Sequence, residues 1–477
     1  MRSLRLMRCA RIVTTTAAAA ALLLSGSALV SPAAGAATAG AQIALSRSVG
    51  PPTSTVDVSG SGFGASEAVT ISFDSTSLAG TGTNDSGTFG AVKVTIPASA
   101  LPGRHTISAT GTSTGSVATA TFTVQTDWAQ FRFGPAHSGV NRFENVLDVS
   151  NAASLQNKWT LVTGAGVHSS PAVAGGDVYI GSRDGNLYAE RASTGKSQWV
   201  FHTPRPVDAS PAVANGVVYA GTEGGGPVLF ALKARTGVKL WSYSLTNTNT
   251  AVLAAPTVAN GVVYMSPTNG YLYALNAATG KKLWRFYVGA SVGVSPAVAN
   301  GVVFTASSTG TIYAVSAATG QELWSYSTGA VGDSSPAVVG GVLYEGFGNS
   351  VFAVNAATGQ LEWNYQTPGD VSSSPAVADG IVYAGSGDGS LYAISTSTGR
   401  RLWSVLTGNA VSSSPALANG LVYFGSSDNS IYAYDATNGT YLWSFSTGGQ
   451  VNSSAAVANG FLFVGSNDGK LYTFGLP

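Results

Sequence analysis

The chain has 477 residues, enough for two or three domains, and only 9% of them are charged, compared with about 25% in an average soluble protein. Its formal net charge of +1 excludes the broad basic surface of a nucleic-acid-binding protein and a strongly acidic surface for cationic partners. The low charge and the 60 glycines indicate a turn-rich β protein that works outside the cytoplasm.

Residues 1–36 have the three parts of a secretory signal peptide. Four arginines occur between residues 2 and 11, a diluted apolar stretch spans 12–30, and Ala34-Gly35-Ala36 matches an A-x-A cleavage site. The alternative is a retained membrane anchor. Cys9 is the single cysteine and lies in this segment, so we expect a mature chain without disulfides or thiol chemistry. The later segments contain no apolar stretch that predicts a further transmembrane segment. The predicted location is therefore secreted or at the cell surface.

Residues 41–125 form a second unit in which apolar and polar residues alternate between Gly- and Ser-rich turns. About seven short strands in a segment of this length are typical of a β-sandwich. The clearest runs are Val56–Val58, Ala68–Phe73, Thr88–Pro97, His105–Gly111 and Val117–Val124. The segment resembles bacterial immunoglobulin-like domains of the IPT/TIG type, which implies a spacer or adhesion module without chemistry of its own.

The rest of the chain is one unit repeated eight times. Each unit carries one tryptophan, and successive tryptophans are 39 to 43 residues apart: Trp159, Trp199, Trp241, Trp284, Trp324, Trp363, Trp403 and Trp443. Four apolar runs of about five residues occur per unit, joined by Asn-Gly, Asp-Gly and Thr-Gly turns, and this pattern predicts antiparallel hairpins. Four strands in a period of about 40 residues correspond to one propeller blade.

The two ends of the repeat region predict how the ring closes. Trp159 precedes the first Pro-Ala-Val strand, whereas the last copy ends at Pro477 without a tryptophan strand. We therefore expect the strand of Trp159 to complete the last blade of an eight-bladed propeller. The aspartates of the Asp-Gly turns, Asp184, Asp388 and Asp468, are interpreted as turn chemistry rather than as a carboxylate set.

Residues 127–477 resemble the pyrroloquinoline-quinone-type (PQQ-like) propeller repeat, a quinoprotein-like fold related to the WD40 superfamily. The resemblance is carried by units of the form S-P-A-V-A-N-G-V-V-Y-x-G-S-x-D-G-x-L-Y and by the lead-in D-W-A-Q-F-R-F-G-P-A-H-S-G at 127–139. The family fold occurs in quinoprotein dehydrogenases, in an outer-membrane assembly lipoprotein and in secreted proteins of unassigned role. The fold alone therefore does not decide the function.

The candidate ligand site is the channel mouth. The position three residues before the first strand of each repeat varies in chemistry, as expected where loops bind and the scaffold positions them. We select His168, Asp208, Asp333 and Asn452 as ligand-binding candidates from this ring. The alternative is a hydrated polar rim.

The remaining aromatic residues are interpreted structurally. The eight repeat tryptophans are expected to pack between blades. In the lead-in, Trp128, Phe131 and Phe133 are expected to plug against the ring, and Arg132 and His137 to be satisfied structural groups.

The residues argue against catalysis. Resemblance to a quinoprotein dehydrogenase implies a tryptophan floor, often a disulfide, a calcium ion held by clustered oxygens, and an aspartate base. These residues cannot be matched one by one in this chain, and no nucleophile elbow accompanies its four histidines. We therefore predict no catalytic residue, no metal site and no cofactor, with PQQ and calcium as the alternative.

The favoured function is that of a secreted, monomeric, non-catalytic binding or scaffold protein. Its predicted partner is an extracellular protein or a cell-wall component, not nucleic acid. The first alternative is a PQQ-dependent quinoprotein dehydrogenase. The second is an extracellular carbohydrate-binding protein, for which Tyr271 and Phe347 are the aromatic candidates outside the tryptophan set.

Overall fold

The computed structural model describes residues 40–224, 226–245, 250–289 and 293–477, so the predicted signal peptide lies outside the described residues. Residues 41–477 form one compact unit. Its described residues form β-strands with a single 3-10 turn at Ala152–Ser154, which confirms the all-β class. Among the described residues there is no helix of the length and hydropathy that crossing a bilayer requires.

The first part of this unit consists of two sheets around one apolar core. Its strands are β1 Gln42–Leu45, β2 Val49–Gly50, β3 Thr55–Ser61, β4 Ala68–Phe73, β5 Thr76–Gly82, β6 Phe89–Thr95, β7 Gly103–Gly111 and β8 Val117–Val124. One sheet has the order β1-β3-β6 and the other β2-β8-β7-β4-β5. In β4, alternate residues Val69, Ile71 and Phe73 are buried in this core, as a strand with one face covered requires.

The second part contains eight sheets that each include four antiparallel strands. Sheet 1 consists of β11 Ala172–Ala174, β12 Asp177–Gly181, β13 Asn186–Arg191 and β14 Ser197–His202, and sheet 2 of β15 Ala212–Ala214, β16 Val217–Gly221, β17 Pro227–Lys233 and β18 Lys239–Ser244. Sheet 3 consists of β19 Thr257–Ala259, β20 Val262–Met265, β21 Tyr271–Asn276 and β22 Lys282–Tyr287, and sheet 4 of β23 Ala297–Ala299, β24 Val302–Ala306, β25 Thr311–Ser316 and β26 Glu322–Ser327.

Sheets 5 to 8 repeat the arrangement and incorporate two strands from earlier in the chain. Sheet 5 consists of β27 Ala337–Val339, β28 Val342–Phe347, β29 Ser350–Asn355 and β30 Leu361–Gln366, and sheet 6 of β31 Ala376–Ala378, β32 Ile381–Gly385, β33 Ser390–Ser395 and β34 Arg401–Leu406. Sheet 7 includes β35 Ala416–Ala418, β36 Leu421–Ser426, β37 Ser430–Asp435 and β38 Tyr441–Ser446, and sheet 8 includes β39 Ala456–Ala458, β40 Phe461–Ser466 and β41 Lys470–Gly475. Strand β9, Val140–Asn141, runs parallel to β35, and β10, Gln156–Val162, pairs antiparallel with β41.

The innermost strands follow one another around a central channel. Each contacts the innermost strand of the next sheet, and β39 contacts β11, so the sheets form a closed ring. Hydrogen bonds of 2.8–3.0 Å link seven of the eight pairs of adjacent sheets, from the backbone N–H before one innermost strand to the serine hydroxyl at the same position of the next sheet. The positions are Ser170, Ser210, Ala255, Ser295, Ser335, Ser374, Ser414 and Ser454. Ala255 has no hydroxyl, so it cannot accept the corresponding bond from sheet 2.

The repeat tryptophans lie on the outermost strands and reach the next sheet. The indole N–H of Trp199, for example, donates to the carbonyl of Ala234 at 2.7 Å, and Trp159 to Ala192 at 3.0 Å. The ring of Trp159 covers Gly195 so closely that a Cβ there would lie 2.6 Å from the indole. The Thr-Gly turn glycines therefore serve two needs, a positive φ (65° at Gly195) and room for the neighbouring tryptophan.

Candidate functional site

The lead-in segment, residues 126–141, lies inside the ring and touches the innermost strand of every sheet in order. It makes hydrogen bonds with the middle residue of each of these strands. The pairs are Trp128–Val173, Ala129–Val213, Gln130–Val258, Pro135–Val298, Ala136–Val338, Ser138–Val377, Gly139–Leu417 and Asn141–Val457, at 2.7–2.9 Å. One segment thus satisfies backbone groups that eight inward-facing strand edges would otherwise leave unpaired.

The lead-in has a strained path and an apolar anchor. Arg132, Phe133 and His137 have positive φ values of 57°, 80° and 57°, which non-glycine residues rarely adopt. Trp128 is 2% exposed and packs edge-on against Phe133, with ring centroids 5.5 Å apart. Phe131 stacks edge-on with His137. The aromatic residues of the lead-in therefore pack in and against the channel, as the sequence predicted.

Two buried basic side chains lie within the lead-in. His137 bridges the channel, with Nδ1 3.2 Å from the carbonyl of Pro336 and Nε2 3.1 Å from the hydroxyl of Thr257. Burial and the nearby Arg132 guanidinium lower the pKa of His137 to about 3, so its imidazole is neutral at physiological pH.

Arg132 departs from the expectation of a satisfied structural group. It is 2% exposed, and its Nη2 donates to the carbonyl of Pro375. Its Nε and Nη1 have no partner among the described residues, so the prediction is wrong for two of its three nitrogens. Burial lowers its pKa to about 9, which still leaves it charged near neutral pH.

The ring has two unlike faces. The turn face carries the turns between the first and second strands of each sheet, and residues 142–151 run across it beside sheets 7 and 8. There Glu144 accepts a hydrogen bond from Gly460 and Asn419 donates to Leu147. The mouth face is the side from which the chain enters each innermost strand, and the predicted ligand residues lie on it.

The mouth brings together two of the four predicted residues. His168 Nδ1 lies 4.0 Å from Asp208 Oδ2, and Arg183 Nε lies 3.6 Å from Asp208 Oδ1. The guanidinium of Arg183 also reaches Glu223, with Nη2 3.4 Å from Oε1. Burial and the neighbouring Asp208 carboxylate raise the pKa of Glu223. The result is a half-exposed cluster in which a cation lies between two carboxylates.

The other two predicted residues lie apart from this cluster. Asp333 is exposed and, with Asp370, lines a shallow cavity of about 320 Å³ between sheets 4 and 6. Asn452 is half-buried at the entry to sheet 8, and its side chain makes no hydrogen bond among the described residues. The sequence identified the rim positions but not which of them meet.

The mouth also contains a repeated aspartate contact. In sheets 1, 6, 7 and 8, which adjoin in the ring, a turn aspartate accepts a hydrogen bond from the tyrosine four residues later. The pairs are Asp184–Tyr188, Asp388–Tyr392, Asp428–Tyr432 and Asp468–Tyr472, at 2.6–2.8 Å. Three of these aspartates also accept the backbone N–H of a glycine in the preceding loop, at Gly164, Gly408 and Gly448. They hold loops together, in agreement with the turn interpretation.

Several polar residues were missed by reasoning from sequence. Arg183 occupies a turn position, and comparison of the repeats would have marked it as a departure. Glu223 begins a turn that the sequence marks as lengthened, but its carboxylate was not singled out. Glu345 stands where the other repeats have Ile180, Ala220, Met265, Thr305, Ala384, Phe424 and Val464. It is completely buried, neither carboxyl oxygen has a partner among the described residues, and burial raises its pKa.

The two aromatic candidates for carbohydrate binding, Phe347 and Tyr271, differ in exposure. Phe347 is 0% exposed and belongs to the core between sheets 4 and 5, so its selection as a surface ring was wrong. Tyr271 is half-buried against Tyr287, and the Arg285 guanidinium lies 4.6 Å from its ring centroid. The Arg285 guanidinium therefore already covers the ring of Tyr271, where a sugar would have to stack.

Comparison of the sequence with models of known protein families assigns this chain to a family. Three overlapping matches to one family model, outer membrane protein assembly factor BamB, cover residues 144–256, 246–373 and 368–476. The chain belongs to this PQQ-like repeat family. Comparison with curated protein sequences gave no match.

Solved structures of PQQ-like propellers have the same fold. A europium-containing methanol dehydrogenase aligns with a TM-score of 0.63 at 15% identity, over 74% of this chain and 98% of that one. BamB from Moraxella catarrhalis aligns with a TM-score of 0.58 at 20% identity, over 68% and 100%. Quinohemoprotein alcohol dehydrogenase from Comamonas testosteroni aligns with a TM-score of 0.63 at 16% identity, over 74% and 81%. These likenesses confirm the PQQ-type β-propeller prediction.

Among the described residues, the mouth cluster of this PQQ-like propeller offers few free carboxylates to a quinone held by calcium. Calcium requires six to eight oxygen ligands, and the described residues contain no group of three His, Cys, Asp or Glu side chains placed to hold a metal. Asp208 and Glu223 are engaged by Arg183. Eight of the nine tryptophans lie on outermost strands and the ninth, Trp128, is in the lead-in, so none forms a floor at the mouth.

Proposed function

We propose that the protein is a secreted, non-catalytic binding or scaffold protein. In this proposal residues 1–36 are the signal peptide, 41–125 an immunoglobulin-like sandwich and 127–477 an eight-bladed propeller closed by β10. The eight sheets, their closed contacts and the pairing of β10 with β41 support the blade count. The two-sheet arrangement around a single core supports the immunoglobulin-like interpretation.

The paired charges of the mouth carry the functional proposal. Asp208 is flanked by Arg183 and His168, and Arg183 also lies beside Glu223, so charges of both signs are paired at the mouth. Paired, half-exposed charges of both signs suit recognition of a polar partner. They fix the orientation of the bound partner, and because they remain partly exposed, little free energy is lost in burying them. The proposed partner is an extracellular protein or a cell-wall component, bound by a monomer.

A retention assay tests the binding role. The secreted protein is incubated with isolated cell walls and with extracellular protein fractions, and bound protein is quantified for wild type, Arg183→Ala and Asp370→Asn. Retention lost only in Arg183→Ala supports binding at the mouth cluster. Equal retention of all three proteins would place binding elsewhere and contradict the proposed site.

Calorimetric titration with PQQ, with and without calcium, tests the alternative of a dehydrogenase. We expect no calcium-dependent binding and no dye reduction with alcohols or sugars. Calcium-dependent binding together with dye reduction would overturn the non-catalytic proposal and make Asp208 and Asp333 the first residues to replace.

A further inference from the structure

A cleft of about 490 Å³ opens on the turn face between sheets 1 and 2, on the opposite side of the ring from the mouth. Its walls include two carboxylates, Asp127 and Asp177, and two guanidinium groups, Arg191 and Arg235. The hydroxyl of Tyr179 donates to the carbonyl of Ala234 at its base. The cleft is thus large enough for a small molecule and offers charges of both signs.

Asp177 is the most unusual of these residues. It is the first residue of the second strand, where the other seven sheets have Val217, Val262, Val302, Val342, Ile381, Leu421 and Phe461. It is 8% exposed, and burial raises its pKa. Its neighbour across the strand pair is Arg191, whose Nε lies 3.2 Å from Oδ1. A buried carboxylate is costly where apolar residues serve equally well, so its presence calls for a role beyond packing.

The ion pair leaves one charge of each sign without a counterpart. Arg191 is occupied by Asp177 and the carbonyl of Gly176. Asp127 accepts hydrogen bonds from Gln125 and Gly175 on Oδ1, and within the described parts of the chain no cation pairs with it. Arg235, where three other repeats have alanine, likewise has no hydrogen bond or ion pair with a described residue. Asp127 and Arg235 line the same cleft.

We propose that this cleft binds a small zwitterion, an amino acid or short peptide with a free ammonium and a free carboxylate. The ammonium is held by Asp127, with Asp177 adding negative charge behind it, and the carboxylate is held by Arg235. Arg191 keeps Asp177 ionised by pairing with it. Charge-assisted hydrogen bonds of this kind are about twice as strong as neutral ones and orient the ligand by its two ends.

The ring contains a counterpart for comparison. The equivalent cleft between sheets 5 and 6 has a volume of about 460 Å³ and is lined by Tyr344 like its relative by Tyr179. Val342 and Ser397 stand there in place of Asp177 and Arg235, and its charges are Asp379 and Arg142. A ligand that needs Asp177 and Arg235 therefore binds once per chain.

Calorimetric titration of the secreted chain with L-alanyl-L-alanine and with glycine tests the proposal. We expect one molecule bound per chain, and affinity reduced roughly tenfold or more when the dipeptide is N-acetylated or C-amidated. Arg235→Ala and Asp177→Val place the residues of other repeats at these positions and should fold, which melting curves check. Both should weaken binding by a similar factor, whereas Asp379→Asn in the counterpart cleft should leave it unchanged.

Three outcomes would overturn the proposal. They are the absence of saturable binding of either probe, equal binding of the blocked dipeptides, and unchanged affinity in Arg235→Ala. Two molecules bound per chain, with loss of one in Asp379→Asn, would also contradict the single site. Retention at the mouth is measured separately, so failure here leaves the proposed function untouched.

Discussion

The interior of the ring and its mouth are stabilised by different kinds of contact. Inside the ring the lead-in is held by buried hydrogen bonds to all eight innermost strands, most of them from the backbone. On the mouth side the contacts are between half-exposed side chains such as Arg183, Asp208 and Glu223. Buried hydrogen bonds are expensive to leave unmade, whereas exposed ion pairs contribute little. The buried interior therefore holds the ring together, and the exposed side chains of the mouth are free to vary in chemistry.

Removal of the lead-in anchor should have the largest effect. Trp128→Ala deletes a side chain that is 2% exposed and packs on Phe133 within the ring core. We expect a loss of about 3–5 kcal/mol in the free energy of unfolding, the usual cost of truncating a buried aromatic residue. Chemical denaturation followed by tryptophan fluorescence measures it, with half-buried Phe131→Ala as the control. A loss no greater than that of the control would contradict the anchoring role.

Acidification should weaken the interior of the ring next. The folded state lowers the pKa of His137 from 6.5 to about 3, so the stability tied to the neutral imidazole is complete above pH 6.5 and is lost as pH falls toward 3. The unfolded state takes up one more proton in this window, which corresponds to about 1.4 kcal/mol per pH unit.

The difference in unfolding free energy between wild type and His137→Gln isolates this contribution from other groups. Glu345 acts in the opposite direction, because its raised pKa reduces stability as pH rises above 4.5. The wild-type curve alone therefore underestimates both effects. A wild-type-minus-variant difference that stays constant from pH 6.5 to 4 would show that His137 is not held neutral.

Much of the fold could be predicted because turn chemistry repeats visibly. Asn-Gly and Thr-Gly turns mark the strand ends, and the position of Trp159 before the first repeat predicted its pairing with the last, which the structure contains. Contacts between repeats were harder to foresee. The ring of serine hydroxyls and the path of residues 126–141 depend on how the sheets close, and no period in the sequence encodes closure.

The site was predicted only in part for the same reason. His168 and Asp208 meet because sheets 1 and 2 adjoin. Arg183, which lies between the carboxylates, is on the turn between β12 and β13, whereas the candidates were chosen only from the positions before the innermost strands. Phe347 looked exposed because it flanks a turn, yet its ring faces the neighbouring sheet. A strand residue at a sheet end points to one of two faces, and one unit of register decides between core and solvent.

Loss of an aspartate contact at the mouth should have an intermediate effect. Asp428 accepts hydrogen bonds from the backbone of Gly408 at 2.8 Å, from Ser430 at 3.0 Å and from the Tyr432 hydroxyl at 2.8 Å. Asp428→Ala leaves these donors, two of them partly buried, without a protein partner, and we expect a loss of about 1–3 kcal/mol. Thr309→Ala, at the equivalent position of sheet 4, is the control, since Thr309 bonds to Ser307 alone. Equal losses would contradict a specific role for these aspartates.

The smallest effect on stability is expected at the predicted ligand residue Asp208. Arg183 Nε lies 3.6 Å and His168 Nδ1 4.0 Å from its carboxylate, both on half-exposed side chains, and exposed ion pairs contribute about 0–1 kcal/mol. Asp208→Asn keeps the shape of the side chain, so the unfolding free energy should change by less than about 0.5 kcal/mol. Added salt should leave that difference nearly unchanged. A loss as large as that of Asp428→Ala would mean that the mouth cluster holds sheets 1 and 2 together, and would contradict the division between a structural interior and a variable mouth.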